Sequence, residues 1–165
     1  MATQEFSRSL PMMLYRALDA VMPRCRRVFN EFGLTEQQWR VLRVLWEHEE
    51  IAFHALAETT LIPAPSLVGV VDRLSTSGLV ERRRSTSDKR NVSILATSKG
   101  KGLEAEVTPQ VEKAYAELHG AIDAQAWNQL IHGLDQLATV SEDDLIRHKA
   151  DRQQTKQKVK VNEQS

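Results

Sequence analysis

Apolar residues recur at spacings of three and four along most of this chain, the period of one face of an α-helix. Leu10, Leu14, Leu18, Val21, Cys25, Val28 and Phe32 mark the first run and predict a helix from Leu10 to Phe32. Pro11 suits its first turn, where the missing N–H costs nothing. Pro23 lies inside the pattern and predicts a kink or a break, and Gly33 is the expected stop. Thr35-Glu36-Gln37-Gln38 reads as a capping box opening a second helix, with Trp39, Leu42, Leu45 and Trp46 on its buried face. A short third helix is expected from Phe53 to Thr60. After the turn Leu61-Ile62-Pro63-Ala64-Pro65, a fourth helix is expected to reach Ser77 before Gly78 stops it.

The period then changes. Leu79–Arg84 and Asn91–Ala96 read as two short strands joined by the polar segment Ser85-Thr86-Ser87-Asp88-Lys89-Arg90, a β-hairpin. Thr97-Ser98-Lys99-Gly100 opens another helix, striped by Leu103, Val107, Val111, Ala114 and Leu118, with a kink expected at Pro109. Asp123 caps a last helix carrying Trp127, Leu130, Ile131, Leu134 and Leu137. From about Lys149 the chain is rich in Gln and Lys and reads as a disordered tail. The predicted class is mainly α with a small β-hairpin.

Composition narrows the class of protein rather than its function. A chain of 165 residues reads as one domain with tails, long enough to bury a sizeable core. A single cysteine, Cys25, excludes an internal disulfide and cysteine-rich zinc sites. No stretch is apolar enough to span a membrane, and no basic leader followed by an apolar run is visible, so a cytoplasmic protein is expected. No nucleophile elbow, phosphate-binding glycine loop or metalloprotease motif is present, so no catalytic residues and no metal or cofactor are expected.

The order helix, helix, short helix, tight turn, helix, hairpin matches a helix-turn-helix followed by a wing. Charge placement agrees. Between Arg73 and Lys101, eight basic residues (Arg73, Arg82, Arg83, Arg84, Lys89, Arg90, Lys99, Lys101) stand against Glu81 and Asp88. That leaves plus six in one stretch of a chain whose 22 basic and 22 acidic residues sum to zero, the separation expected of a nucleic-acid footprint. Arg90 is suited to a narrow minor groove or a phosphate. Asp88 would repel phosphate, so it either holds Arg73 or Arg90 by a bidentate bond or shapes the turn.

Ser87-Asp88-Lys89-Arg90, followed by Ile94 and Thr97, resembles the wing of the MarR family of winged-helix transcription factors. Leu34-Thr35-Glu36-Gln37-Gln38-Trp39-Arg40, Phe53-His54 with Leu56-Ala57, Pro65-Ser66-Leu67 and Gly78-Leu79-Val80 resemble its subgroup of homoprotocatechuate-degradation repressors. The likeness covers about residues 8 to 145. It implies a homodimer clasped by its first and last helices, 8–33 and 98–148, around a DNA-binding lobe at 34–97, with 149–165 as tail. It implies a double-stranded, pseudo-palindromic operator met by Ser66, Val68, Gly69, Asp72 and Arg73 of the recognition helix and by Arg84, Asp88, Lys89 and Arg90 of the wing. It also implies a small aromatic carboxylate as effector, held in or near Arg16, Trp39, Arg40, Arg43 and His54. The chain departs from the subgroup's usual residues at Leu18, Ala64 and Val68.

Other readings of the same residues compete. Trp39 also suits the core, and Arg40 and Arg43 also suit surface pairs with Glu36 or Glu47. Cys25, flanked by Arg24, Arg26 and Arg27, also fits a peroxide sensor if those charges lower its pKa. His48, Glu49, Glu50 and His54 contain metal-ligand types without a zinc spacing. A helical protein-interaction module without DNA binding is the reading from a different class.

Overall fold

The computed structural model describes residues 5–84 and 92–141. The elements follow in the order α1 (Leu10–Glu31), α2 (Glu36–Glu47), β1 (Ile51–Ala52), α3 (Phe53–Thr60), α4 (Ala64–Thr76), β2 (Val80–Arg84), β3 (Val92–Ala96), α5 (Ser98–Gly120) and α6 (Ala124–Thr139), with a short 3-10 turn at Phe6–Arg8 before them. The chain divides into two compact units, residues 1–118 and 119–165. Asp88, Lys89 and Arg90 and the expected tail lie outside the described residues.

Three helix ends in the first unit share one chemistry. At the end of α1, Gly33 takes φ +67°, its N–H donates to the Asn30 carbonyl at 3.0 Å, and the Leu34 N–H donates back to Phe29 at 2.9 Å. Gly78 repeats this after α4 at φ +69°, with Gly78 bonding Ser75 and Leu79 bonding Leu74, both at 2.9 Å. Each closure satisfies two orphan carbonyls and buries an apolar pair, Phe29 with Leu34 and Leu74 with Leu79. After α3 the same pair of bonds forms, Leu61 to Glu58 and Ile62 to Ala57, but the left-handed residue is Leu61 at φ 53°. A side chain in that conformation costs about 1 kcal/mol.

Helix starts follow the sequence closely. Thr35 Oγ1 accepts the Gln38 N–H at 3.2 Å, and Gln38 Oε1 accepts the Thr35 N–H at 2.9 Å, completing the expected box. Asp123 Oδ1 caps α6 through the N–H groups of Gln125 and Ala126. The two interior prolines break neither helix. Pro23 stays within a continuous α1 and Pro109 within a continuous α5. Both prolines occupy exposed positions, as does Asp19, whose carbonyl lacks the intrahelical N–H partner that Pro23 cannot supply.

The sheet has three antiparallel strands, not two, in the order β1-β3-β2. β1 is only Ile51–Ala52, paired with Ile94 and Ser93, and its brevity hid it from any periodicity. β2 begins at Val80, because Leu79 is used in closing α4, and pairs with β3 from Val80↔Ala96 to Arg84↔Val92.

The core of the first unit joins α2, α3, α4, the sheet and α5. Leu42, Leu56, Leu67, Val70, Val71, Leu74, Ile94 and Val107 are fully buried in it. On α1 only Cys25 and Phe29 are fully enclosed, whereas Leu10 and Leu18 of the predicted stripe are exposed. The start of α5 is locked against the end of α4. Thr97 Oγ1 donates to the Gly78 carbonyl at 2.7 Å and accepts the Gly100 N–H at 3.1 Å. Gly100 is required there, since a Cβ would collide with the Leu79 carbonyl oxygen. Trp46 Nε1 donates to the Gly100 carbonyl at 2.9 Å from the opposite side.

In the second unit α6 stands as a well-capped amphipathic helix with no buried residue. Leu130, Ile131, Leu134 and Leu137 are all between 38% and 48% exposed.

Candidate functional site

α4 presents two contrasting faces. Leu67, Val70, Val71 and Leu74 point into the core, while Ser66, Val68, Asp72 and Arg73 are exposed and Gly69 is half-buried between them. Arg73, one turn later, folds back along the helix over Gly69, where a Cβ would lie 3.4 Å from Arg73 Nη1, an ordinary contact distance. The start of the helix is less open to an anion than the sequence implied. Pro65 has no N–H, and those of Ser66 and Leu67 already donate to the Pro63 carbonyl at 2.9 and 3.0 Å. Ser66 can therefore offer its hydroxyl, but its backbone donor is occupied.

The basic residues of this lobe fall into committed and available sets. Arg82 lies 2.7 Å from Asp72 and reaches the Val68 carbonyl at 3.4 Å. Arg83 is 2.7 Å from Glu50. Lys99 Nζ donates to the Ser77 carbonyl at 2.8 Å, where a cation complements the C-terminal end of α4. Arg84 ends β2, in register with Val92. Among the described residues, Arg73 is the cation on α4 and carries no ion pair. The structure thus ties Asp72 to a wing-root arginine that sequence reasoning had left among the general basic residues. The signal was the alternation of β2, which sends Arg82 and Arg83 to opposite faces. The proposed grip of Asp88 on Arg73 or Arg90 lies outside the described residues.

The effector candidates separate into groups. Trp39 is buried, stacked on Phe29 with centroids 5.0 Å apart and edge-on to Trp46 at 5.4 Å. Arg40 is held by the Thr60 carbonyl at 3.1 Å and by Glu36 at 2.9 Å, and Glu36 also receives Arg26 of α1. Arg43 pairs with Glu47 at 2.8 Å along the exposed face of α2. Arg16 and His54 are exposed on α1 and α3, and no contact joins either to the others among the described residues.

Tyr115 of α5 was missed. Its phenol pKa is raised, first by burial and then by contact with the Cys25 thiol, while the charge of Arg43 acts in the opposite sense. Tyr115, itself half-exposed, thus lies beside Cys25, four residues before Phe29 on α1, and within electrostatic reach of Arg43, four residues after Trp39 on α2. Its position four residues after the buried Val111 was the available signal.

Burial pushes the Cys25 thiol above its ordinary value, and the Tyr115 hydrogen bond only partly opposes this. The flanking arginines do not make a thiolate: the side chain is 1% exposed, and Arg26 is turned to Glu36. The described residues hold no group of three His, Cys, Asp or Glu able to take a metal ion. No described helix is long and apolar enough to cross a membrane.

Residues 34–92 match the MarR family model. The chain is 36% identical over 128 residues to the homoprotocatechuate degradative operon repressor of Escherichia coli, covering 78% of this chain and 86% of that protein. The crystal structure of NadR in complex with 4-hydroxyphenylacetate superposes with a TM-score of 0.70 at 32% identity, covering 86% of this chain and 100% of that one. The repressor CouR, from Rhodococcus jostii RHA1, bound to a 23-mer DNA duplex, gives a TM-score of 0.75 at 27% identity, covering 84% and 98%.

Proposed function

This chain belongs to the MarR family of transcriptional regulators, and on that premise we propose that it is a homodimeric repressor of aromatic-compound catabolism genes, released from a pseudo-palindromic operator by a small aromatic carboxylate. One observation carries the DNA-binding part. The inner face of α4 is sealed in the core while its outer face offers Ser66, Val68, Gly69 and an Arg73 without an ion pair among the described residues, beside a hairpin whose root is fixed to the same helix. A rigid helix of that size with one polar, cationic face fits a major groove, and a hairpin beside it reaches the adjacent backbone.

The effector part rests on the Arg43–Tyr115–Trp39 neighbourhood. A carboxylate needs a paired donor, an aromatic ring needs a flat apolar wall, and a ring hydroxyl needs a polar partner. Arg43, on exchanging its Glu47 partner for the ligand, Trp39 and Tyr115 supply these three in turn. NadR has been crystallised with 4-hydroxyphenylacetate, a ligand of this chemistry. Release from DNA then follows by linkage. A ligand that favours a dimer geometry unable to span two half-sites weakens DNA binding by its differential affinity, about 1–3 kcal/mol in ordinary cases.

The test is a fluorescence-anisotropy titration of the duplex upstream of the protein's own gene, over a salt series. Binding is expected to fall steeply with salt, and Arg73→Ala to weaken it about tenfold while reducing the salt slope by about one. Adding 4-hydroxyphenylacetate is expected to weaken binding of the wild type and not of Arg43→Ala. Salt-independent binding, or an unchanged slope in Arg73→Ala, contradicts the reading.

A further inference from the structure

The three consecutive arginines of β2 invite one interpretation, a cationic strand that meets phosphate. The geometry divides them instead. Arg82 faces α4, with Nη2 2.7 Å from Asp72 Oδ1 and 3.4 Å from the Val68 carbonyl, whereas Arg83 faces Glu50. We propose that Arg82 is a positioning residue for DNA recognition: it masks the Asp72 carboxylate on the outer face of α4 and ties that helix to the root of the hairpin, and it does not itself contact phosphate. The proposal rests on the DNA-binding reading above.

Asp72 sits on the same exposed face as Val68 and Arg73. A bare carboxylate there repels a duplex carrying one negative charge for about every 1.7 Å of its axis. Arg82 removes that repulsion. The bond spans ten residues of sequence, across the closure at Ser77–Leu79, and the second contact to the Val68 carbonyl fixes the same guanidinium to the residue one turn earlier. Hairpin and helix are thereby held at one relative position. Because the pair is largely exposed, it contributes little to folding; its effect belongs to recognition. A cation already committed to a carboxylate displaces no counterion from DNA, so Arg82 adds nothing to the salt slope.

The experiment compares Arg82→Gln, Asp72→Asn and the double variant with the wild type on the upstream duplex across a salt series. Thermal melts give the folded fraction to which each affinity is referred. Arg82→Gln is expected to bind about tenfold to thirtyfold more weakly, and Asp72→Asn, which removes the carboxylate that Arg82 masks, to lose clearly less than Arg82→Gln does. The double variant, with no carboxylate left to mask, is expected to return to within about threefold of wild type and to keep the wild-type salt slope. A double variant as weak as Arg82→Gln, with a slope lower by about one, makes Arg82 a phosphate contact and overturns the proposal. So does an Arg82→Gln protein that binds like wild type. Failure of the wild type to bind any upstream duplex strikes instead at the DNA-binding reading, and the two failures are thus distinct.

Discussion

α4 and α6 carry the same kind of apolar stripe and meet opposite fates. In α4, Leu67, Val70, Val71 and Leu74 are sealed within the first unit. In α6, Leu130, Ile131, Leu134 and Leu137 follow the same spacing behind a better cap, yet none is buried. The N-terminal half of α1 behaves like α6, with Leu10, Met13 and Leu18 all exposed. Periodicity therefore tells that a face is made to be covered, and not by what. Four large apolar side chains in one stripe make a patch that a solitary soluble chain rarely leaves open. A second copy, clasped through the chain ends as the resemblance implies, would cover both exposed faces.

The largest effect is expected from breaking the uncovered side of this comparison. Leu130→Asp with Leu134→Asp removes four leucines from a two-fold interface, each worth about 2 kcal/mol when buried. Sedimentation equilibrium is expected to show a dimer dissociation constant raised at least about a thousandfold. In a Trp127→Phe background, Trp39 and Trp46 emission is expected to stay native, because both lie in α2 of the first unit. Loss of the native Trp signal would show that α6 belongs to that core.

The covered side breaks more locally. Gly100→Ala drives a methyl into the Leu79 carbonyl where α5 is locked to α4. It is expected to cost about 3 kcal/mol in denaturant unfolding, the upper range for overpacking a rigid site. The smallest effect is expected at Leu61. Leu61 is left-handed and 83% exposed, so Leu61→Gly relieves backbone strain and loses no burial. After the extra freedom of glycine in the unfolded chain, a gain of about 0.5 kcal/mol remains, read as a melting point higher by roughly 2 °C.

What the sequence disclosed follows from which interactions are local. The Thr35–Gln38 box, the stops at Gly33 and Gly78 and the Asp123 cap each involve residues within a few positions, and all appear as expected. β1 was invisible because two residues have no period; it exists only through its pairing with Ile94 and Ser93. Pro23 interrupts neither the α1 hydrogen-bonded span nor its stripe, because one lost N–H leaves the neighbouring i→i−4 bonds of a long helix in place, and Pro109 sits in α5 the same way. The same division runs through the site. Ser66, Val68 and Arg73 were legible as the outer face of one helix. The pairing of Asp72 with Arg82 and the meeting of Tyr115 with Cys25 and Arg43 join distant parts of the chain, which no spacing rule reaches.

In the proposed function, two copies of this chain address one duplex together. The direct measurement is the mass of the protein–DNA complex, by native mass spectrometry or sedimentation, at protein just below saturation of the upstream duplex. The account predicts free DNA and a species with two chains per duplex, without a one-chain intermediate. A stable one-chain complex, or the same occupancy on a scrambled duplex, would contradict it.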